Sequence, residues 1–339
     1  MASVDTTELI REYAALTEHC GLLDRSERGK LALTGADAVE FLNGQVTNEL
    51  LDLTPGHGCY AAFLTHKGKM LGDLRILAVG DDTVYDDHGD SATDAQKAAP
   101  TELLLDTERV ALQGLFDMIR RFKVGYRVDL HKRTLEASLL SLIGPAAAMT
   151  AERAFSWPVE LPEHENDHVL AGQVRLVATN FGFDLLCASD ATASVLESLK
   201  GAGAEPVSEA AAEIVRVEGG RPRYGIDIDE NTIPQEAGLN ERAVSFTKGC
   251  YVGQETVARL HYRGKPNRRL RGLRLSDPTA SGAELHLGER PVGALRSTVL
   301  SPTFGPIGLA LLRREAEPGA TLAVGDGGAT ATVVELPFQ

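Results

Sequence analysis

The chain has 339 residues, 43% of them hydrophobic and 24% charged, with a formal net charge of −14. That balance fits a soluble globular chain with material for two or three domains. The acidity argues against a general basic surface for nucleic acid, and no apolar run approaches the ~20 residues of a membrane helix. The first twenty residues carry Asp5, Glu8, Arg11, Glu12 and Glu18, unlike a secretory signal or a transit peptide, so a cytoplasmic location is expected. Cys20, Cys59, Cys187 and Cys250 lie far apart without a CxxC pair. Neither a disulfide framework nor a metal site is expected from them.

Leu9, Ile10, Tyr13 and Leu16 recur at helical spacing and predict a helix over 5–18. KLALTG reads as a strand leading into a helix at ADAVEFL. CYAAFLT and MLGDLRILAV, joined by HKGK, read as a hairpin. The acidic, turn-rich stretch 81–100 reads as a solvated loop. An amphipathic helix is predicted over 107–122, capped by Asp106-Thr107, with Leu115, Met118, Ile119 and Phe122 on one face. SLLSLIGPAAAMTAERA then repeats the strand–glycine–helix order of KLALTGADAVEFL. FGFDLLCAS with ATASVLESLKGAG is a further strand–helix unit.

SEAAAEIVRVEGG predicts a helix with Ser208 at its N-cap and Gly219 just past its end, with Ala210, Ile214 and Val217 on one face. From about residue 268, short apolar stretches alternate with Gly/Pro turns: LRGLRL, PVGALRSTVL, IGLALL, TLAV, ATVVEL. This predicts a small antiparallel barrel or sandwich. The change of character at 263–269 divides the chain into 1–265 and 266–339. The fold class expected is α+β.

TKGCYVGQETVAR, residues 247–259, holds the most unusual cysteine. Cys250 sits between Gly249 and Gly253, next to Lys248, just before a predicted helix. A thiol near a helix N-terminus beside a lysine gains thiolate character; a small buried filler is the alternative. Glu218 falls in the last turn of its helix, against the negative end of the dipole, at a cost of roughly 0.3–1 kcal/mol. It is either a surface glutamate or one held for a ligand. Asp73 lies mid-strand, on the face of Leu71, Arg75 and Leu77. It is either paired with Arg75 or faces a polar cavity. Arg259, Arg263, Lys265, Arg268, Arg269, Arg271 and Arg274 form a local basic strip, a solvated linker or an anion site. His164 and His168 have i,i+4 spacing without an evident third ligand.

KGCYVGQE resembles the signature of the YgfZ-type folate-binding proteins, relatives of the glycine cleavage T-protein. GADAVEFLNGQVTNEL, KGKMLGDLRI and RVEGGRPRYGIDIDENTIPQEAGLN resemble further segments of that superfamily, and the resemblance covers nearly the whole chain. It implies subdomains around a central cavity that holds tetrahydrofolate or a one-carbon derivative. It implies that Asp73 and Glu218 line that cavity, with Arg223, Tyr224, Gln254 and Glu255 as further folate-binding candidates. Cys250 and Lys248 are the implied reactive pair. A pterin edge offers adjacent N–H donors, which suit carboxylate acceptors, and the basic strip is expected to meet the anionic folate tail. The family's role implies a tetrahydrofolate-binding accessory protein for assembly or repair of iron–sulfur proteins, especially [4Fe–4S] proteins, with client iron–sulfur proteins or assembly factors as partners. A folate-dependent aminomethyltransferase or demethylase is the alternative reading, and a scaffold that has lost its folate is a third.

Overall fold

The computed structural model describes residues 6–80, 99–155 and 160–339; most of the acidic 81–100 stretch lies outside them. Helix α1 (Thr6–Glu18) is followed by β1 (Gly21–Asp24), β2 (Gly29–Thr34) and α2 (Ala38–Asn43). The predicted hairpin forms as β3 (Gly58–Leu64) and β4 (Met70–Val79). Then come β5 (Glu102–Thr107), α3 (Leu112–Phe122), β6 (Asp129–Lys132), β7 (Ala137–Ile143) and α4 (Ala147–Phe155). Next are β8 (His168–Ala171), β9 (Val174–Thr179), β10 (Gly182–Ala188), α5 (Thr192–Gly201) and β11 (Glu205–Pro206). Helices α6 (Glu209–Glu218), α7 (Asn240–Ala243) and α8 (Gln254–Arg263) precede the last six strands. These are β12 (Arg268–Leu275), β13 (Glu284–Leu287), β14 (Arg290–Ser301), β15 (Gly305–Arg313), β16 (Thr321–Val324) and β17 (Ala329–Val334).

The strands form a five-stranded sheet in the order β3-β4-β5-β2-β6 and a six-stranded sheet in the order β11-β1-β7-β10-β9-β8. The last six close into a barrel, β12-β15-β14-β13-β16-β17, every pair antiparallel. Closure removes the exposed edges that an open sheet would present. The barrel is thus the realised form of the barrel-or-sandwich expectation, and its short β13, ELHL, is a strand that the sequence reading did not include.

The internal echo has a structural counterpart. β2 and β7 each have a neighbouring strand on both sides in their own sheet, and each runs into a helix through a glycine of positive φ, Gly35 at 110° and Gly144 at 127°. Each sheet has its own core. One packs Phe41, Phe63, Leu105 and Leu115 on the first sheet; the other packs Leu140, Leu176, Leu185 and Leu199 on the second.

Two helices differ from expectation. Asp106 and Thr107 end β5, and α3 begins five residues later at Leu112. Both side chains are spent elsewhere: Asp106 on arginines, Thr107 as a donor to the Asp73 carbonyl. Phe122 is exposed at the end of that helix. In α6, Ser208 caps as predicted, accepting from the Ala211 amide, but the buried face is Ala211, Ala212, Ile214 and Val217, and Ala210 points outward.

The turn before α8 packs on the β3–β4 hairpin. Gly253 has φ of 86°, and a Cβ there would lie 2.5 Å from the Thr65 carbonyl oxygen. At Gly249 a Cβ would meet nothing within 4 Å. The two glycines flanking Cys250 therefore differ in kind. Gly253→Ala is expected to lower stability by at least ~1–2 kcal/mol, and Gly249→Ala to stay within roughly 0.5 kcal/mol of the parent, both read from urea denaturation midpoints.

Candidate functional site

β4 has two faces with different fates. Leu74, Ile76 and Ala78 enter the first core. Asp73 and Arg75, on the other face, are 4% and 6% exposed and line a cavity between the two sheets. The cavity has two chambers, of about 170 and 190 Å³. Asp73, Arg223 and Tyr224 line the first; Arg75, Glu165, Asp184 and Arg221 line the second. Arg25, Arg28, Tyr60 and Arg242 line both, so the two chambers are neighbours. Each chamber alone is small for a cofactor-sized ligand, and a ligand of that size would have to reach across the four residues that they share.

Arg75 does not pair with Asp73. Its Nη1 lies 2.7 Å from Asp184 on β10, and its Nη2 lies 3.0 Å from Asp106 on β5. Asp106 also receives Arg28 at 2.9 Å. Burial alone would raise the Asp106 carboxyl, but the charges of Arg28 and Arg75 outweigh it and hold it below its ordinary value. Asp73 has no such cation. Burial pushes it up to about 6, against a hydrogen bond from Tyr60 that works to lower it. The Arg242 guanidinium stacks over the Tyr60 ring at 4.1 Å, and its Nε donates to Glu165 at 2.9 Å.

The segment RVEGGRPRYG supplies the chamber floor. Arg223 donates to Glu209 at 2.6 Å, Glu213 at 3.0 Å and Glu108 at 3.2 Å. Burial opposes its charge, but these carboxylates prevail and raise its pKa. Its charge is therefore already neutralised by protein. Tyr224, 8% exposed, has its hydroxyl pushed up to about 12 by burial and by acidic neighbours.

Of the residues expected to bind the ligand, the structure gathers Asp73, Arg223 and Tyr224. Glu218 is outside the lining of both chambers. Its carboxylate accepts from Tyr13 Oη on α1, at 3.1 Å to each oxygen, and from Ser301 Oγ on β14 at 2.5 Å. The unfavourable dipole position is offset by a three-way joint between α1, α6 and the barrel. Gln254 and Glu255 also lie outside the lining. Gln254 Oε1 accepts from the Tyr251 amide at 3.1 Å across the turn into α8, and Glu255 is exposed.

Lys248 corrects the picture of a paired thiol. Its ammonium donates at 2.5 to 3.0 Å to the carbonyls of Asn43, Val46 and Asn48 and to Asn43 Oδ1. Burial pulls it down to about 8, opposed by Glu49 and Cys59. The thiol whose charge it feels is thus Cys59, itself pushed up to about 12 by burial. Lys248 anchors the turn; Cys250 stands exposed on it. Cys20 and Cys187 are buried.

The basic strip is also separate from the cavity. Arg268 is bound to Glu236 at 2.7 Å, Arg271 to Glu335 at 2.5 Å, and Arg274 to the Gln339 carbonyl at 2.6 Å. Lys265 and Arg269 line a different pocket beside α8. His168 is buried in β8 and bonded to Arg175 at 2.9 Å, and no metal-binding cluster occurs among the described residues. No described helix is long and apolar enough to cross a membrane. Sequence reasoning missed Tyr60, Arg28, Arg221 and Arg242, because no local pattern marks a residue whose surroundings come from segments dozens of positions away.

Two outcomes follow from this geometry. Glu218→Ala should cost roughly 1–3 kcal/mol of stability, because Tyr13 and Ser301 lose their acceptor, while ligand affinity at the cavity stays unchanged; a selective loss of affinity without loss of melting temperature would overturn the joint. An Ellman titration of native protein should count one fast thiol, Cys250, and four after denaturation.

Comparison with known proteins agrees with the architecture. Residues 3–248 match the GCVT N-terminal domain, and residues 268–339 match the glycine cleavage T-protein C-terminal barrel domain. The chain is 27% identical over 352 residues to an aminomethyltransferase of Halothermothrix orenii, covering 99% of this chain and 92% of the relative. It is 29% identical over 353 residues to an aminomethyltransferase of Nostoc, covering 99% and 89%. It is also similar, at 26% identity over 94% of this chain and 71% of the relative, to a putative chloroplastic transferase of Arabidopsis thaliana. The crystal structure of the glycine cleavage system aminomethyltransferase T from Bartonella henselae superposes with a TM-score of 0.83 at 23% identity, over 98% of this chain and 89% of that one. With both domain models matched along almost its whole length, the chain belongs to the glycine cleavage T-protein family.

Proposed function

We propose that the protein binds a reduced folate in the cavity between its sheets and uses Asp73 there in one-carbon transfer of the aminomethyltransferase type. The observation that carries this reading is the Asp73 carboxyl: 4% exposed, hydrogen-bonded to Tyr60, and raised by burial to about 6. A pterin edge presents N–H donors that an acceptor carboxylate in a water-poor chamber would hold. The donor set fits that group: one acceptor carboxylate, the Tyr60 and Tyr224 rings, and arginines already paired with protein carboxylates. The folate supplies a nucleophilic ring nitrogen that takes up the one-carbon unit. Asp73 orients that edge and, near neutral pH, can accept a proton from it. Tyr60 fixes the carboxyl, and Arg242 over its ring fixes Tyr60. The aminomethyltransferase names of relatives at 27–29% identity support the reaction class.

A second reading rests on a different observation. Cys250 is exposed on a turn held by the Lys248 ammonium and by Gly253. A folate-binding accessory role in making or repairing [4Fe–4S] proteins would use that thiol at a partner's surface. One thiolate supplies one of the four ligands that a cluster typically needs, so a partner must bring the rest. A strain carrying Cys250→Ser with undiminished [4Fe–4S] enzyme activity would remove this reading.

Asp73→Asn tests the first. Formation of methylenetetrahydrofolate from an aminomethyl donor should fall by about 10²–10⁴-fold, and the parent's rate should decline as pH drops through about 6. The stability effect has the opposite direction. Between about pH 4 and 6 the native carboxyl keeps a proton that the unfolded chain has lost, so stability falls as pH rises through that window and is lowest above it. Asp73→Asn should therefore be more stable than the parent by about 2–3 kcal/mol at pH 7–8, with the gain vanishing near pH 4. Full transfer activity in Asp73→Asn would refute the role.

A further inference from the structure

The two chambers differ in how their charges are paired. Five guanidiniums line the second, those of Arg25, Arg28, Arg75, Arg221 and Arg242, against three carboxylates, Asp106, Glu165 and Asp184. In a chain of net charge −14 this is a local positive surplus. Every one of those carboxylates is already taken. Asp106 holds Arg28 and Arg75, Asp184 holds Arg75 and the Ser141 hydroxyl, and Glu165 holds Arg242. Arg25 reaches Glu209 at 3.2 Å, outside this chamber's lining.

Arg221 is left over. It is half-buried, and its guanidinium makes no hydrogen bond or ion pair among the described residues. Burial and the neighbouring Arg242 disfavour its charge and outweigh the attraction of Glu165, which lies beyond ion-pair distance. A second donor is also unfilled: Arg75 is 6% exposed, lines the same chamber, and its Nε has no hydrogen-bond partner. A cation kept part-buried beside another cation, with its fork of donors unpaired, is a poor structural element and a good receptor for a carboxylate. Guanidiniums also outnumber carboxylates in the first chamber, where Arg25, Arg28, Arg216, Arg223 and Arg242 face Asp73, Glu108 and Glu213, but each of those arginines has a carboxylate partner. There Arg223 and Arg216 are bound by Glu108, Glu209, Glu213 and Asp227.

We propose that the second chamber is a carboxylate subsite centred on Arg221, and that the cavity reads its ligand lengthwise, with the aromatic ring system at Asp73 and Tyr224 and an anionic tail at Arg221. The proposal rests on the folate reading for the identity of the ligand, whose glutamyl tail carries the carboxylates. Arg242 and Tyr60, shared by both chambers, flank the middle of such a ligand. The assignment replaces the exposed basic strip at 259–274 as the tail site, because none of that strip lines either chamber.

The test is anaerobic calorimetry of the full chain with two ligands, tetrahydrofolate and tetrahydropteroate, which lacks the glutamate. The parent should prefer tetrahydrofolate by at least roughly tenfold, the scale of one charge-assisted carboxylate contact. Arg221→Gln should abolish that preference while binding tetrahydropteroate as the parent does. Arg221→Lys, which keeps the charge without the fork, should retain part of the preference. Lys265→Gln with Arg269→Gln, on the outer strip, should leave the preference intact. Binding of both ligands with an unchanged preference in Arg221→Gln overturns the tail subsite and leaves the folate reading standing. Failure of the parent to bind either ligand overturns both. An equal loss for both ligands in Arg221→Gln, with an unchanged melting temperature, also overturns the subsite, since the contact would then lie with the ring system.

Discussion

The bidentate reach of Arg75 is the constraint on which the site depends. One guanidinium spans from its own strand to Asp106 in the same sheet and to Asp184 in the other. Two sheets with separate apolar cores have no hydrophobic reason to stop at a fixed separation with a polar gap between them. A buried ion network supplies that reason through geometry, because a carboxylate–guanidinium contact has a set length and direction. Such a network adds little net stability, since desolvation consumes most of its Coulomb energy, but breaking it leaves a buried charge uncompensated. Its effect is to hold the cavity open at one width.

Around that core, charged residues at unusual positions act as joints rather than as reagents. Glu218 faces the wrong end of its helix dipole and is retained because Tyr13 and Ser301 donate to it from two other elements. Lys248 is drawn from solvent into a cluster of backbone oxygens at the end of α2. Its net effect is to order the segment that carries Cys250 without touching the chemistry of the cavity. The thiol and the carboxyl thus belong to different surfaces, one outward and one enclosed, and one protein can use them for different partners.

Local patterns carried the α+β class, the hairpin, the Ser208 cap and the Gly/Pro-punctuated terminal strands into view, because each depends on neighbours a few residues apart. The site was legible only in part. Asp73 stands out as a charge in mid-strand, and the structure places it, buried, in a cavity lining. Of its two readings, pairing with Arg75 or facing a polar cavity, the structure matches the second, since Arg75 is bound to Asp184, 109 positions away in sequence. Lys248 and Cys250 are two positions apart and are expected from the sequence to interact, yet the backbone turns the ammonium toward residues 43–48. Arg242 and Tyr60 carried no signal at all. Chain proximity predicts helix caps well and ion pairs badly, because a cap needs one turn of backbone whereas an ion pair is decided by how sheets meet.

Asp73 and Asp106 show how one scaffold sets two carboxyls to different tasks. Both are at most 5% exposed, both lie on the face of the first sheet turned to the cavity, and Thr107, next to Asp106, donates to the Asp73 carbonyl. Burial pushes both upward. Asp106 has two arginines against it and stays ionised, a fixed charge that positions the frame. Asp73 has a tyrosine hydroxyl instead and rises to about 6, where a proton can come and go near neutral pH. Had Arg75 turned to Asp73, the carboxyl would have become another permanent ion, and the sheets would have lost their bridge. Pairing with Arg75, one of the two alternatives that the sequence left open, would have removed both the frame and the titrating carboxyl. The cross-sheet pairing is therefore what leaves Asp73 free to titrate.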